Sequence, residues 1–100
     1  MHKLDLTNPL INSIYEIAST SYGVESLSNF LDKNDEMYPG IKLDRINDLL
    51  FAEVHLTIFN NVKAVEIIRS VQKALKKGLT EYKDLKSISV YCDHISSKNI

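Results

Sequence analysis

Apolar residues recur at helical spacing along most of the chain. Asn8-Pro9 reads as an N-cap followed by proline in the first turn. Leu10, Ile14 and Ile17 then repeat along one face, with Ile11, Tyr15 and Ala18 beside them, and Gly23 closes the segment as a left-handed C-terminal residue. Val24, Leu27, Phe30 and Leu31 form the stripe of a short second helix over roughly residues 24 to 33. A loop, KNDEMYPG, separates it from a third helix running from about Leu43 to Phe59. The apolar positions there are Leu43, Ile46, Leu49, Leu50, Phe51, Val54, Leu56, Ile58 and Phe59, and they cover more than half the helical circumference, as in a central helix packed on several sides. Asn61 can cap a fourth helix with Val62, Val65, Ile68, Val71 and Leu75 as its core stripe, and Gly78 stops it.

The last segment supports two readings. SISVYC alternates small polar and β-branched residues, the mark of a strand. Tyr82, Leu85, Ile88, Cys92 and Ile95 also fit one helix face, with Thr80 as cap. A lone strand has no partner in an otherwise helical chain, so helix is the preferred reading. The expected fold is all-α: a compact bundle of about five short helices, with a possible short strand near the C-terminus.

Composition narrows the function classes. One hundred residues make one domain, 1–100, with a single core. Hydrophobic residues at 44% and charged residues at 25% are ordinary for a soluble globular protein. The net charge of −1 argues against a dedicated nucleic-acid binder. A single cysteine, Cys92, rules out an intrachain disulfide and fits a reducing compartment. The N-terminus reads as neither signal peptide nor membrane anchor, so a cytoplasmic location is expected.

Candidate chemistry is sparse. His55 follows Glu53 by two positions; on a helix, where each residue turns by about 100°, the two would point to nearly opposite faces. They would not form an i, i+4 metal pair, and His55 reads as a structural or rim histidine. Cys92, Asp93 and His94 are adjacent, but adjacent side chains diverge on a helix, and zinc wants four ligands in a tetrahedron. Cys92 is thus read as an ordinary buried thiol. Neither G-x-x-x-x-G-K-[ST] nor G-x-G-x-x-G occurs. No catalytic residue, cofactor or metal is expected, and the chain is read as not an enzyme.

Charge is unevenly spread. Residues 25–55 hold seven carboxylates against three cations, a local excess of −4, while residues 61–86 show the reverse, +4. The bland reading makes the acidic half a solvated loop, with Asp44 in a first helical turn. The sharper reading makes it a docking surface for a basic protein partner, with Asp32, Asp35, Glu36, Asp44 and Asp48 as the carboxylates and Tyr38, beside Pro39 and Gly40, as aromatic anchor. The lysines Lys73, Lys76 and Lys77 are largely explained by the fourth helix's C-terminal end. A helix-turn-helix nucleic-acid binder built on the third and fourth helices is a minor alternative; an adaptor, chaperone or assembly subunit using an apolar helix face is another.

YGVESLSNFL followed by YPGIKLDRINDLLFAEVHLTI, about residues 22 to 58, resembles the small, acidic-patched helical immunity proteins of bacterial contact-dependent growth inhibition. A second likeness is to helical bacteriocin immunity proteins. The resemblance implies a monomeric or dimeric stoichiometric inhibitor that covers the active site of a toxin's C-terminal domain, a nuclease with a basic cleft. No membrane or nucleic-acid partner is implied.

Overall fold

The computed structural model describes residues 9–28 and 40–100. Among these, two helices and four strands follow the order α1 (Pro9–Ser19), β1 (Val24–Leu27), β2 (Ile41–Ile46), β3 (Leu49–Ile58), α2 (Ala64–Gly78) and β4 (Leu85–Ile95). The two helices form where the periodicity placed the first and fourth. The expected all-α bundle does not form, and the molecule is a two-layer α/β structure.

Three predicted helices are strands. The expected second helix begins as β1, and its Phe30 and Leu31 lie outside the described residues. The expected central helix is a hairpin: β2 and β3 pair antiparallel from Ile41 opposite Val54 to Ile46 opposite Leu49. Its turn is Asn47-Asp48, both left-handed at φ 52° and 67°. Two successive residues with positive φ make the tight turn whose twist matches that of paired strands. The predicted fifth helix is β4, so the alternation in SISVYC marked the true geometry. Its partner strand was hidden inside the supposed central helix.

β3 holds the sheet together. β4 runs parallel along one of its edges, from Leu50–Leu85 to Ile58–Ile95. β1 and β2 share the other edge end to end, β1 against Leu56–Ile58 and β2 against Leu49–Val54. The sheet is therefore mixed, with the parallel pair connected through α2, as a crossover requires. Burial along β3 alternates strictly from Phe51 to Ile58. Ala52, Val54, Leu56 and Ile58 enter the core; Phe51, Glu53, His55 and Thr57 face the other way.

Both helices cover the core face. α1 buries Leu10, Ile11, Ile14 and Ala18, and α2 buries Ile67, Val71 and Leu75. Of the stripe expected for α2, Val71 and Leu75 are buried, but Val65 is 60% exposed. Asn61 does not cap the helix. The N-cap is Lys63, without a side-chain bond, while the Asn61 side chain accepts from the Ile100 amide at 3.0 Å. α1 ends earlier than Gly23, at Ser19; the Thr20 and Ser21 hydroxyls donate to the Glu16 and Ile17 carbonyls at 2.6 and 2.7 Å. Among the described residues, no helix is long and apolar enough to cross a membrane.

Gly40 is a position that only glycine fits. Its φ is +83°, and a Cβ there would lie 2.7 Å from the carbonyl oxygens of His55 and Ser28. Gly40→Ala should therefore destabilise the fold by about 2 kcal/mol or more, from left-handed strain and backbone clash together. Urea unfolding measures this; an unchanged midpoint would contradict the close approach.

Candidate functional site

Period-two alternation puts Glu53 and His55 on the same face of β3, not on opposite faces as helical geometry would have it. The His55 ring has a carboxylate at each nitrogen: Nε2 lies 3.2 Å from Glu53 Oε1 and Nδ1 lies 2.9 Å from Asp93 Oδ1. Asp93 comes from β4. The register between β3 and β4 shifts after Leu56–Cys92, so that Thr57 meets His94 and Asp93 is the extra residue of a bulge. Tyr91, directly opposite His55, stacks on the imidazole with centroids 4.8 Å apart and rings 25° from parallel.

The backbone holds this residue as firmly as the side chain does. The His55 amide donates to the Gly40 carbonyl at 2.8 Å, and its carbonyl accepts from the Ser28 amide at 2.7 Å. His55 therefore sits at the break between β1 and β2, bonded to both of their ends. The imidazole is only 12% exposed, against 38% for the Glu53 side chain and 24% for that of Asp93. Solvent thus reaches the cluster mainly from the Glu53 side.

The chemistry of the group follows from its donors and acceptors. Carboxylates only accept hydrogen bonds. A neutral imidazole has one N–H and satisfies one of them; a doubly protonated ring satisfies both. A cation held between Nε2 and Glu53 would serve the same electrostatic end, with Asp93 fixing the ring through Nδ1–H, the arrangement common behind metal-bound histidines. Glu53 and Asp93 lie at different ring nitrogens, so the three do not converge on one point. Among the described residues, no group of three or more His, Cys, Asp and Glu is placed to hold a metal ion. The cluster amounts to half a coordination sphere.

Cys92 lies beside this cluster and stays apart from its chemistry. Burial pushes its thiol up from the ordinary range; a backbone hydrogen bond at His94 opposes that, and the Asp93 carboxylate adds to the rise. At neutral pH it is a protonated thiol, not a thiolate ligand.

Of the residues expected to form an acidic docking surface, Asp44 and Asp48 are described. Asp44 is exposed on β2, 4.0 Å from Lys42 across a solvated contact worth little. Asp48 occupies the left-handed hairpin turn, not a helix. Asp32, Asp35, Glu36 and Tyr38 lie outside the described residues. Glu53, His55, Tyr91 and Asp93 were not recognised as a group. The signal for them was the alternation AEVHLTI, apolar and polar by turns, which a strand reading would have put on one face.

No family model matches the chain, and no curated protein matches it in sequence. Solved structures do match in fold. A copper form of MamM CTD superposes with a TM-score of 0.63 at 14% identity, over 94% of this chain and 91% of that one. A zinc form of a MamM CTD variant gives 0.58 at 13%, over 92% and 89%. A manganese form of another variant gives 0.58 at 14%, over 93% and 89%. At such identities the likeness is one of fold.

That fold overturns the reading as a helical immunity protein of contact-dependent growth inhibition, and the basic toxin-nuclease partner goes with it. The segment that carried the resemblance, about residues 22 to 58, holds three strands and no helix among its described residues. The helix-turn-helix alternative falls too, because the helix that should precede α2 is the β2–β3 hairpin.

The raised Cys92 pKa makes a pH-dependent difference. A group whose folded pKa exceeds its unfolded one stabilises the fold below the unfolded pKa, and that stabilisation is lost as pH rises through the folded value. At about pH 8.5, where an ordinary thiol is half ionised, folded Cys92 should react with iodoacetamide several-fold more slowly than the urea-denatured chain. Equal rates would show that the thiol is not shielded.

Proposed function

We propose that the chain is a single binding domain, over residues 1–100, for a divalent transition-metal ion, and not an enzyme. Among the described residues, His55 Nε2 and a Glu53 carboxylate oxygen are the ligands this chain supplies, and Asp93 orients the ring. The observation that carries the reading is the imidazole held between two carboxylates on the open face of the sheet. The fold adds support: the structures it resembles include zinc, copper and manganese forms. Imidazole suits zinc and copper, carboxylate suits manganese, and the pair accommodates each in part.

Two donors leave half of a tetrahedron open. Water, or the same half-site of a second copy, fills it in this reading. The domain belongs in the cytoplasm, where a lone thiol such as Cys92 stays reduced.

Isothermal titration of the full chain with zinc, copper(II) and manganese(II) salts tests the proposal. Saturable binding of at least one ion is expected, and His55→Ala should abolish it. Asp93→Asn should weaken it by about 10–100-fold through the orienting bond. Affinity should fall on acidification, because the proton competes for Nε2. His94→Ala, at an exposed position outside the cluster, should bind as the native chain does. Undiminished binding by His55→Ala, or no binding of any of the three ions, would overturn the assignment.

A further inference from the structure

Away from the His55 cluster, a hollow of about 370 Å³ opens where the end of α2, the link 79–84 and the start of β4 meet. Lys76, Lys83 and Lys86 line it, with the hydroxyls of Thr80 and Ser87 and the ring of Tyr82. No carboxylate lines it among the described residues. None of the three lysines makes an ion pair there either: among the described residues, the lysines that do are Lys42, Lys63 and Lys98. The acidic residues of the link, Glu81 and Asp84, line an adjoining hollow together with Arg45, and Tyr82 and Lys83 form the wall the two hollows share. Among the described residues, the charged groups lining the first hollow are thus all cations, and the carboxylates lie beyond Tyr82 and Lys83.

The hollow is built rather than incidental. The Gln72 side-chain amide donates to the carbonyl of Ile88, a lining residue, at 3.0 Å and ties α2 to β4. A second, shallower hollow lined by Arg69, Gln72, Lys73 and Lys76 adjoins it through Lys76 and extends the positive surface along α2. The negative end of the helix dipole accounts for Lys76 and Lys77, both in the last turn of α2. It does not account for Lys83 and Lys86, which lie beyond the helix and converge on the same space. Three lysines lining one hollow put like charges near one another, and a multiply charged anion would relieve their repulsion.

We propose that this hollow binds a phosphate ester of nucleotide size, its phosphates held by Lys76, Lys83 and Lys86 and its organic body lying against Tyr82. Lysine ammonium groups are point-charge phosphate ligands. The volume falls in the range of small-molecule sites, and the tyrosine ring offers a flat apolar surface beside the charge. The site shares no residue with the His55 cluster and stands independently of the metal reading.

The test is an amide NMR titration of the full metal-free chain with inorganic pyrophosphate, ADP and adenosine. Saturable shifts confined to residues 76–88 are expected for pyrophosphate and ADP, with ADP tighter and adenosine far weaker than either. The double variant Lys83→Glu/Lys86→Glu should lose about tenfold or more in affinity, the scale of one charge-assisted bond. Lys83→Gln/Lys86→Gln gives the same readout should the charge reversal disturb folding. His55→Ala should bind ADP as the native chain does. Absent or dispersed shifts, equal affinity in the glutamine variant, or binding to anionic lipid vesicles without binding to either soluble phosphate would overturn the proposal.

Discussion

The described strands are all placed by the two edges of β3, and the core by one of its faces. One edge is fully taken by β4, and the other is divided between β1 and β2. Its inward side chains Val54, Leu56 and Ile58 have no exposed surface at all. Burying a side chain of this kind is worth about 1.5–3 kcal/mol, and a one-residue slip would turn the whole set outward. That penalty fixes the register of the sheet. It also fixes which polar residues are left facing away from the helices.

The candidate site is the reverse side of that constraint. The alternation that sends Val54 and Leu56 inward leaves Glu53 and His55 outward as neighbours. Parallel pairing with β4 then places Tyr91 opposite His55, and the bulge at Asp93 supplies the second carboxylate. The break between β1 and β2 falls at the same residue, where the His55 backbone bonds Ser28 and Gly40. Gly40 is required there because no Cβ fits between those carbonyls. Site and scaffold therefore share their most constrained position.

The electrostatics divide in the same way. The surplus of cations in residues 61–86 looked like a helix-end effect when read along the chain. In three dimensions, only part of it lies on the helix. Lys83 and Lys86 arrive from the link and from β4 to line one hollow with Lys76, while Glu81 and Asp84 line the adjoining hollow that shares Lys83. Of the acidic surplus, Asp44 and Asp48 lie on a strand and in a turn, not on a helix.

The chain by itself determined α1 and α2, because their apolar positions repeat only at the helical period, with Pro9 opening the first and Gly78 closing the second. It also carried the alternation AEVHLTI and the pair Asn47-Asp48, sufficient for a strand and a tight turn. Those signals were masked by Leu49, Leu50 and Phe51, which fill a helical stripe as readily as a strand end, so a hairpin read as one long helix. Only tertiary structure decided between the two, since β3 gains its hydrogen bonds from β1, β2 and β4, partners distant in sequence. The same holds for the sites. Glu53 and His55 become neighbours once the period is two, but Asp93 reaches them from 38 residues away in the chain, and no spacing rule announces a contact made by pairing two strands across a helix.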